Sequence, residues 1–353
     1  MEHMKRLSIA LLPGDGIGRE VIPAARRVLE RAVGGLQFEE YEWGSEHYFR
    51  HGAMMPVDAL QRLRQHDAIL LGAVGHPDIP DHITLNGMLL PIRRGFDLYV
   101  NERPAFLYEG VKSPLIGYAP GSIDMVVIRE NTEGEYANVG GFLYHHMPEE
   151  VAVQTSVFTR FGCERVIRYA FDLGRRRNGK RRVTSVTKSN AQGYSMVLWD
   201  SVFREVASEY PDIETESLLV DAAAMNFVRR PGSFDVVVAS NLFGDILSDL
   251  SAMVAGSIGL APSANLDPRR QAPSLFEPVH GSAPDIAGKG LANPLGTILA
   301  AAMMLEHLGE PAAAASIESG VRSVLACGKA LTADLGGRAS TAEVTDAVIA
   351  AIG

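Results

Sequence analysis

Asp245 and Asp249 stand four residues apart in Asn241-Leu-Phe-Gly-Asp-Ile-Leu-Ser-Asp249, so both project from one face of a helix that the pattern predicts to start here. Apolar residues surround them: Val236, Val237 and Val238 before, then Ile246, Leu247 and Leu250. Two close carboxylates in such surroundings repel unless a cation neutralises them, and oxygen-only ligands favour a hard ion, Mg²⁺ or Mn²⁺. Taken alone, the pair is equally an acidic helix face turned to water. Arginines add a second element. Arg93, Arg94, Arg103 and Arg129 lie in segments patterned as ordered helix or strand, and guanidinium forks grip carboxylates bidentately. Three of them converging near a dication would hold a small di- or tricarboxylate, whereas each singly is a structural ion pair.

Lys188, in Thr187-Lys-Ser-Asn190, ends a predicted strand, where α/β sheets place functional groups. Acting as a base at neutral pH requires it to lose about two to three units from a pKa of about 10.4. Arginines and a metal push that way; Asp221 opposes it. Tyr136, in Glu133-Gly-Glu-Tyr136, offers an acid, or is an ordinary aromatic of a β-arm. The polar loop Glu277-Pro-Val-His-Gly-Ser-Ala-Pro-Asp285 offers His280 to stack on a base. It also offers the backbone of Gly281, Ser282 and Ala283 to a phosphate or adenosine, and Asp285 to ribose hydroxyls. A carboxylate there would repel a 2′-phosphate and favour NAD over NADP. Pro13-Gly-Asp-Gly-Ile-Gly18 follows a strand and opens a helix, but falls one residue short of the dinucleotide fingerprint and is equally a tight turn.

The elements that must position these groups alternate. Short apolar runs at residues 7–12, 68–71, 125–128, 183–186 and 236–239 read as strands. Helical patterns lie between them, at 17–32, 57–64, 163–173, 195–209 and 242–255. This is an α/β fold with largely parallel pairing. Residues 151–160 alternate as a strand that pairs with 136–146 in a hairpin-like arm. The end is helical, at 294–308, 311–326 and 340–352, with Ser340-Thr-Ala-Glu343 as a capping box. Changes of pattern put domain boundaries near residues 100 and 250: 1–99 with 252–353, and 100–251.

A formal charge of −9 excludes a general nucleic-acid or anionic-membrane binder, and no stretch approaches the ~20 apolar residues of a membrane span. The basic run from Arg175 to Arg182 contains Asn178-Gly179 and predicts a solvated turn after a helix. Cys163 and Cys327 show neither metal-ligand spacing nor a disulfide framework, which suits a cytoplasmic protein.

In this order, LLPGDGIG, IRENTEGEY, TKSN, NLFGDILSD and LFEPVHGSAPDIAGKG resemble the β-hydroxyacid oxidative decarboxylases: isocitrate, isopropylmalate, tartrate and D-malate dehydrogenases. The resemblance spans essentially the whole chain. It implies a two-domain open α/β sheet, isopropylmalate dehydrogenase-like and not the Rossmann fold, so Gly14 to Gly18 is no fingerprint. It implies a homodimer with shared active sites. Arg93, Arg103 and Arg129 match substrate-carboxylate arginines, and Tyr136 and Lys188 the catalytic pair. Asp221, Asp245 and Asp249 match ligands of Mn²⁺ or Mg²⁺, with Lys188 and Asp221 coming from the neighbouring subunit. His280, Gly281, Ser282, Ala283, Asp285 and Asn293 match the adenosine-binding loop of NAD. Asn86 and Leu89 lie in the segment Thr84-Leu-Asn-Gly-Met-Leu-Leu-Pro-Ile-Arg93, implied to face the variable group of the substrate. Isocitrate enzymes carry serine and asparagine where Gly87 and Leu89 stand, so a third carboxylate is disfavoured. The wording GMLLPIRRGFDLYVNERPA points to the tartrate and D-malate branch, although that branch carries tryptophan where Asn86 stands. The expected activity is NAD- and metal-dependent oxidation and decarboxylation of D-malate or tartrate. The alternatives are 3-isopropylmalate dehydrogenase and a non-catalytic regulatory subunit.

Overall fold

A computed structural model describes residues 6–352. Strand β1 (Ser8–Gly14), buried along its apolar run, turns tightly into helix α1 (Gly18–Ala32). Next come β2 (Gln37–Glu40), α2 (Ser45–His51), α3 (Ala59–Leu63) and β3 (Ala68–Ala73). Helix α4 (Asp81–Thr84) continues through one π-helical turn, Leu85–Leu89, into α5 (Leu90–Gly95). Strands β4 (Val100–Phe106), β5 (Asp124–Glu130), β6 (Gly134–Leu143) and β7 (Val151–Val157) follow. Then come α6 (Arg160–Arg177), β8 (Arg182–Thr187), α7 (Ser195–Ala207) and β9 (Glu214–Leu219). After α8 (Val220–Arg229), β10 (Val236–Ala239) and α9 (Asn241–Val254), the chain ends with β11 (Pro262–Leu266) and β12 (Ser274–Pro278). Three helices close it: α10 (Leu295–Leu308), α11 (Pro311–Cys327) and α12 (Thr341–Ala351).

These elements form two compact units. One takes the residues up to Leu98, Arg103–Ile123, and everything from Ala252; the other takes Tyr99–Glu102 and Asp124–Ser251. Residues 103–123 join the first because their partners are there. Arg322 of α11 lies over the rings of Phe106 and Tyr108, Ser113 donates to the carbonyl of Val254, and Gly110 packs on the backbone of Leu325.

In the first unit the strands run β2-β1-β3-β12-β11, parallel except for the antiparallel pair β11–β12. β3 is buried throughout and β1 in all but its first residue, which is why both read as apolar runs. Helix α10 has ten buried residues in fourteen and forms the centre of this unit's helical layer. The capping box opening α12 is present, with Ser340 and Glu343 each satisfying the other's backbone N–H.

In the second unit β5-β10-β8-β9 are all parallel, and β6–β7 form a separate antiparallel arm. Two sequence expectations are corrected. The strand predicted over 151–160 stops at Val157, because the Thr159 hydroxyl accepts from the Gly162 N–H and starts α6 at Arg160. The helix predicted over 57–64 shrinks to Ala59–Leu63, with Val57 fully exposed outside it.

Candidate active site

In the second unit, the acidic helix and the arginine strand meet. Gly244 permits this, since a side chain there would collide with Arg129 on β5. Arg129, buried, gives two hydrogen bonds to Asn241 Oδ1, at 2.9 Å from Nε and 2.7 Å from Nη2, and its remaining nitrogen pairs with Asp245 Oδ1. The second oxygen of Asp245 accepts from the Tyr136 hydroxyl at 3.1 Å, and the Arg129 guanidinium lies over the Tyr136 ring. Burial, and then the charge of Asp245, push the Tyr136 phenol up, so it holds its proton at neutral pH. Asp245 remains 31% exposed, and Asp249, one turn on, is exposed. The apolar enclosure expected around the two acids is therefore only partial, because Ile246 faces outward at 57% exposure.

The ends of β8 and β9 bring together another expected pair. Lys188 Nζ lies 2.6 Å from Asp221 Oδ1, and that hydrogen bond holds the Asp221 carboxyl below the usual carboxylate range. Among the described residues no three His, Cys, Asp or Glu side chains form a metal-holding group, so Asp221 does not join Asp245 and Asp249 within one chain. The donor chemistry of Asp245 and Asp249 nonetheless fits a hard dication. Both are carboxylates one helical turn apart, and oxygen donors of that kind suit such an ion.

In the first unit Arg93 is 3% exposed and donates to Glu277 Oε1 at 2.8 Å, an oxygen that also accepts from Asn265 at 2.8 Å. Glu277, read in the sequence as loop, is thus the buried end of β12 and the counter-ion of Arg93. The Nε of Arg93 has no hydrogen-bond partner. Arg103 is buried, with Nε 3.3 Å from Ser263 Oγ. Arg93 and Arg103 therefore belong to one unit and Arg129 to the other. On the π turn Asn86 is exposed and donates to the His82 carbonyl at 2.7 Å, whereas Leu89 is buried among Met54, Met88 and Ile92.

Beyond β12, His280 Nδ1 lies 3.0 Å from the Gly281 carbonyl oxygen, and its Nε2 is buried with no partner. Burial pushes the imidazole below its ordinary pKa, leaving a neutral ring with one nitrogen free for a ligand. That orphaned atom fits a bound heteroaromatic cofactor. Asn293 donates to Asp334 Oδ2 at 2.9 Å and accepts from the Leu295 N–H; Asp285 is exposed. The glycine loop after β1 packs against the segment that follows β12. Asp15, buried, accepts from the N–H groups of Ser45 (2.8 Å) and Gly75 (2.9 Å), and the Ile17 N–H donates to the Ser282 carbonyl. Gly16 has φ +52°, and a side chain there would strike that same carbonyl. The loop buttresses residues 280–283.

Sequence reasoning missed Asp15, Glu277, Asn241 and Asp334 as working parts. For three of them a signal existed, since Asp15, Asn241 and Glu277 lie inside the quoted motifs.

Comparison with known proteins places this geometry. The model of the isocitrate/isopropylmalate dehydrogenase family matches residues 8–348. A probable tartrate dehydrogenase/decarboxylase of Agrobacterium vitis is 51% identical over 354 residues, covering 99% of this chain and 98% of that protein. The decarboxylating D-malate dehydrogenase of Escherichia coli is 51% identical over 356 residues, covering 98% of each. Among solved structures, isocitrate dehydrogenase from Methylococcus capsulatus superposes with a TM-score of 0.89 at 39% identity, over 98% of this chain and 99% of that one.

Proposed function

This chain belongs to the isocitrate/isopropylmalate dehydrogenase family, and we propose on that footing that it oxidises and decarboxylates a small 2-hydroxy dicarboxylate, D-malate or tartrate, using NAD⁺ and Mn²⁺ or Mg²⁺. The observation that carries the reading is Asp245, a part-exposed carboxylate engaged by a guanidinium on one oxygen and a phenol on the other. Asp245 and Asp249 hold the dication. Asp221 completes the set from a second copy of the chain, as does Lys188. A homodimer is supported by the exposed apolar residues of the arm, Phe142, Leu143, Val151 and Val153, and of the helices, Met225 and Ile246.

Arg93, Arg103 and Arg129 grip the substrate carboxylates, and Asn86 faces the group that varies between substrates, with Leu89 packed behind it. When bound, the dication draws electron density from the substrate oxygens and the nicotinamide accepts the hydride. Lys188 takes the hydroxyl proton, with Asp221 beside it to balance the ammonium. After CO₂ leaves, Tyr136 delivers its proton to carbon; burial and the charge of Asp245 keep that proton on the phenol until then. His280, Gly281, Ser282, Ala283 and Asn293 receive the adenosine, and Asp285 takes the ribose hydroxyls.

The test is a substrate panel. With NAD⁺ and Mn²⁺, kcat/KM is expected to be highest on D-malate or a tartrate isomer, and exhaustive chelation is expected to abolish turnover. A kcat/KM for 3-isopropylmalate far above the rest would replace the substrate assignment. Undiminished activity after chelation would remove the metal.

A further inference from the structure

Helix α9 carries both acids, and its first turn is tied to a residue from outside the helix. Ser240 stands just before its first residue, and the Ser240 hydroxyl donates to Glu135 Oε1 at 2.9 Å. The other oxygen, Glu135 Oε2, accepts from the Leu242 backbone N–H in the first turn at 3.0 Å. One carboxylate from the β6 segment thus satisfies the helix end from outside and opposes its positive pole. The next residue, Tyr136, reaches the same helix one turn further on, at Asp245 Oδ2. A third tie joins them, from Asn241 Nδ2 to the Glu133 carbonyl at 3.1 Å. Neighbouring strand residues ordinarily face opposite sides. Here the pairing of β6 with β7 slips between Gly134 and Val139, and Asn138 has φ +57°. Irregularities of that kind re-aim side chains.

We propose that Glu135 is a positioning residue: by clamping the first turn of α9 it sets the distance between the Tyr136 hydroxyl and Asp245. The proposal rests on Tyr136 acting as proton donor. Unlike Tyr136 itself, Glu135 touches no reacting atom. Its carboxylate holds the helix at the axial height where the phenol meets Asp245.

Four variants of the full-length protein test it, with kcat and KM measured at saturating Mn²⁺ and NAD⁺ on the preferred substrate. Glu135→Ala is expected to lower kcat about tenfold while leaving the substrate KM within about threefold, as a misplaced catalytic group would. Glu135→Gln, which still accepts the Leu242 N–H through its amide oxygen, is expected to stay within about threefold of wild type. Tyr136→Phe combined with Glu135→Ala is expected to be no slower than Tyr136→Phe alone, because residues acting through one another are non-additive. A merely structural clamp gives independent, multiplying losses. Glu135→Asp, one methylene short of spanning both donors, repeats the kcat loss in a variant that keeps its charge and covers the case of an unfolded alanine variant. Wild-type kcat in Glu135→Ala and Glu135→Asp, or a double variant slower by the product of the single effects, overturns the positioning role. Wild-type kcat in Tyr136→Phe overturns the proton-donor reading instead.

Discussion

Arg93 with Glu277, and Arg129 with Asp245, are the same chemical pair placed in opposite circumstances. Glu277 is 9% exposed at its side chain and shares its oxygen with Asn265; Asp245 is 31% exposed and shares its second oxygen with a phenol. The first acid is surrounded by groups that only hold it. The second keeps a face toward solvent and a titratable partner with a raised pKa. Under the proposed function the buried counter-ion belongs to the frame and the part-exposed one to the chemistry. Both guanidinium groups are buried, so removing Glu277 outright leaves Arg93 without this counter-ion, whereas an asparagine at 245 still offers an oxygen to Arg129.

Substitutions separate the two roles. Asp245→Asn is expected to lower kcat about a thousandfold, about 4 kcal/mol of barrier, with an unfolding midpoint near that of wild type. Glu277→Ala is expected to cost about 3–5 kcal/mol in urea unfolding, since Arg93 is left buried and charged. Midpoints that fall equally in both variants would erase the distinction.

His307 extends the contrast to a titrating group of the frame. It lies against Phe276, and burial, with Arg270 adding to it, lowers its pKa to about 4. Between its ordinary value near 6.5 and about 4, the unfolded chain binds the proton and the folded chain refuses it. This residue's contribution is therefore intact above that window and lost as pH falls through it, by about 3 kcal/mol. His307→Gln should flatten the stability-against-pH curve there; an unchanged slope would reassign the acid sensitivity to other groups.

The smallest effect expected is on the working side. Exposed Asp285, changed to Lys, should shift preference between NAD⁺ and NADP⁺ toward NADP⁺ by about tenfold in kcat/KM, about 1.4 kcal/mol, with no loss of stability. Unchanged preference would detach Asp285 from the ribose.

The same division decides what could be read in advance. β1, β3, β5, β8 and β10 were legible because central parallel strands are covered on both faces and spell apolar runs. β2 and β9, with the sequences QFEE and ETESLL, were not: strands at the ends of the order meet water and carry charge. β11 and β12, with the sequences PSANL and SLFEP, carry proline and polar residues that break any apolar run. In the site, Tyr136, Lys188, Arg129 and Asp245 came with their motifs. Some of their supports, Asn241 and Glu277 among them, stood in the same motifs, but the pairings were not legible, because Arg93 and Glu277 are 184 residues apart and nothing local announces their contact. Asn86 and Leu89 were treated alike, yet the π turn leaves one outside and buries the other.

The acidic margins have one more consequence. A second copy of the chain adding itself as another strand would meet two glutamates in β2 and two in β9, like against like. Along β7, VAVQTSV, it would meet no charge at all. Extension of the sheet edge by edge at β2 and β9 is thereby discouraged, while β7 carries no such charge.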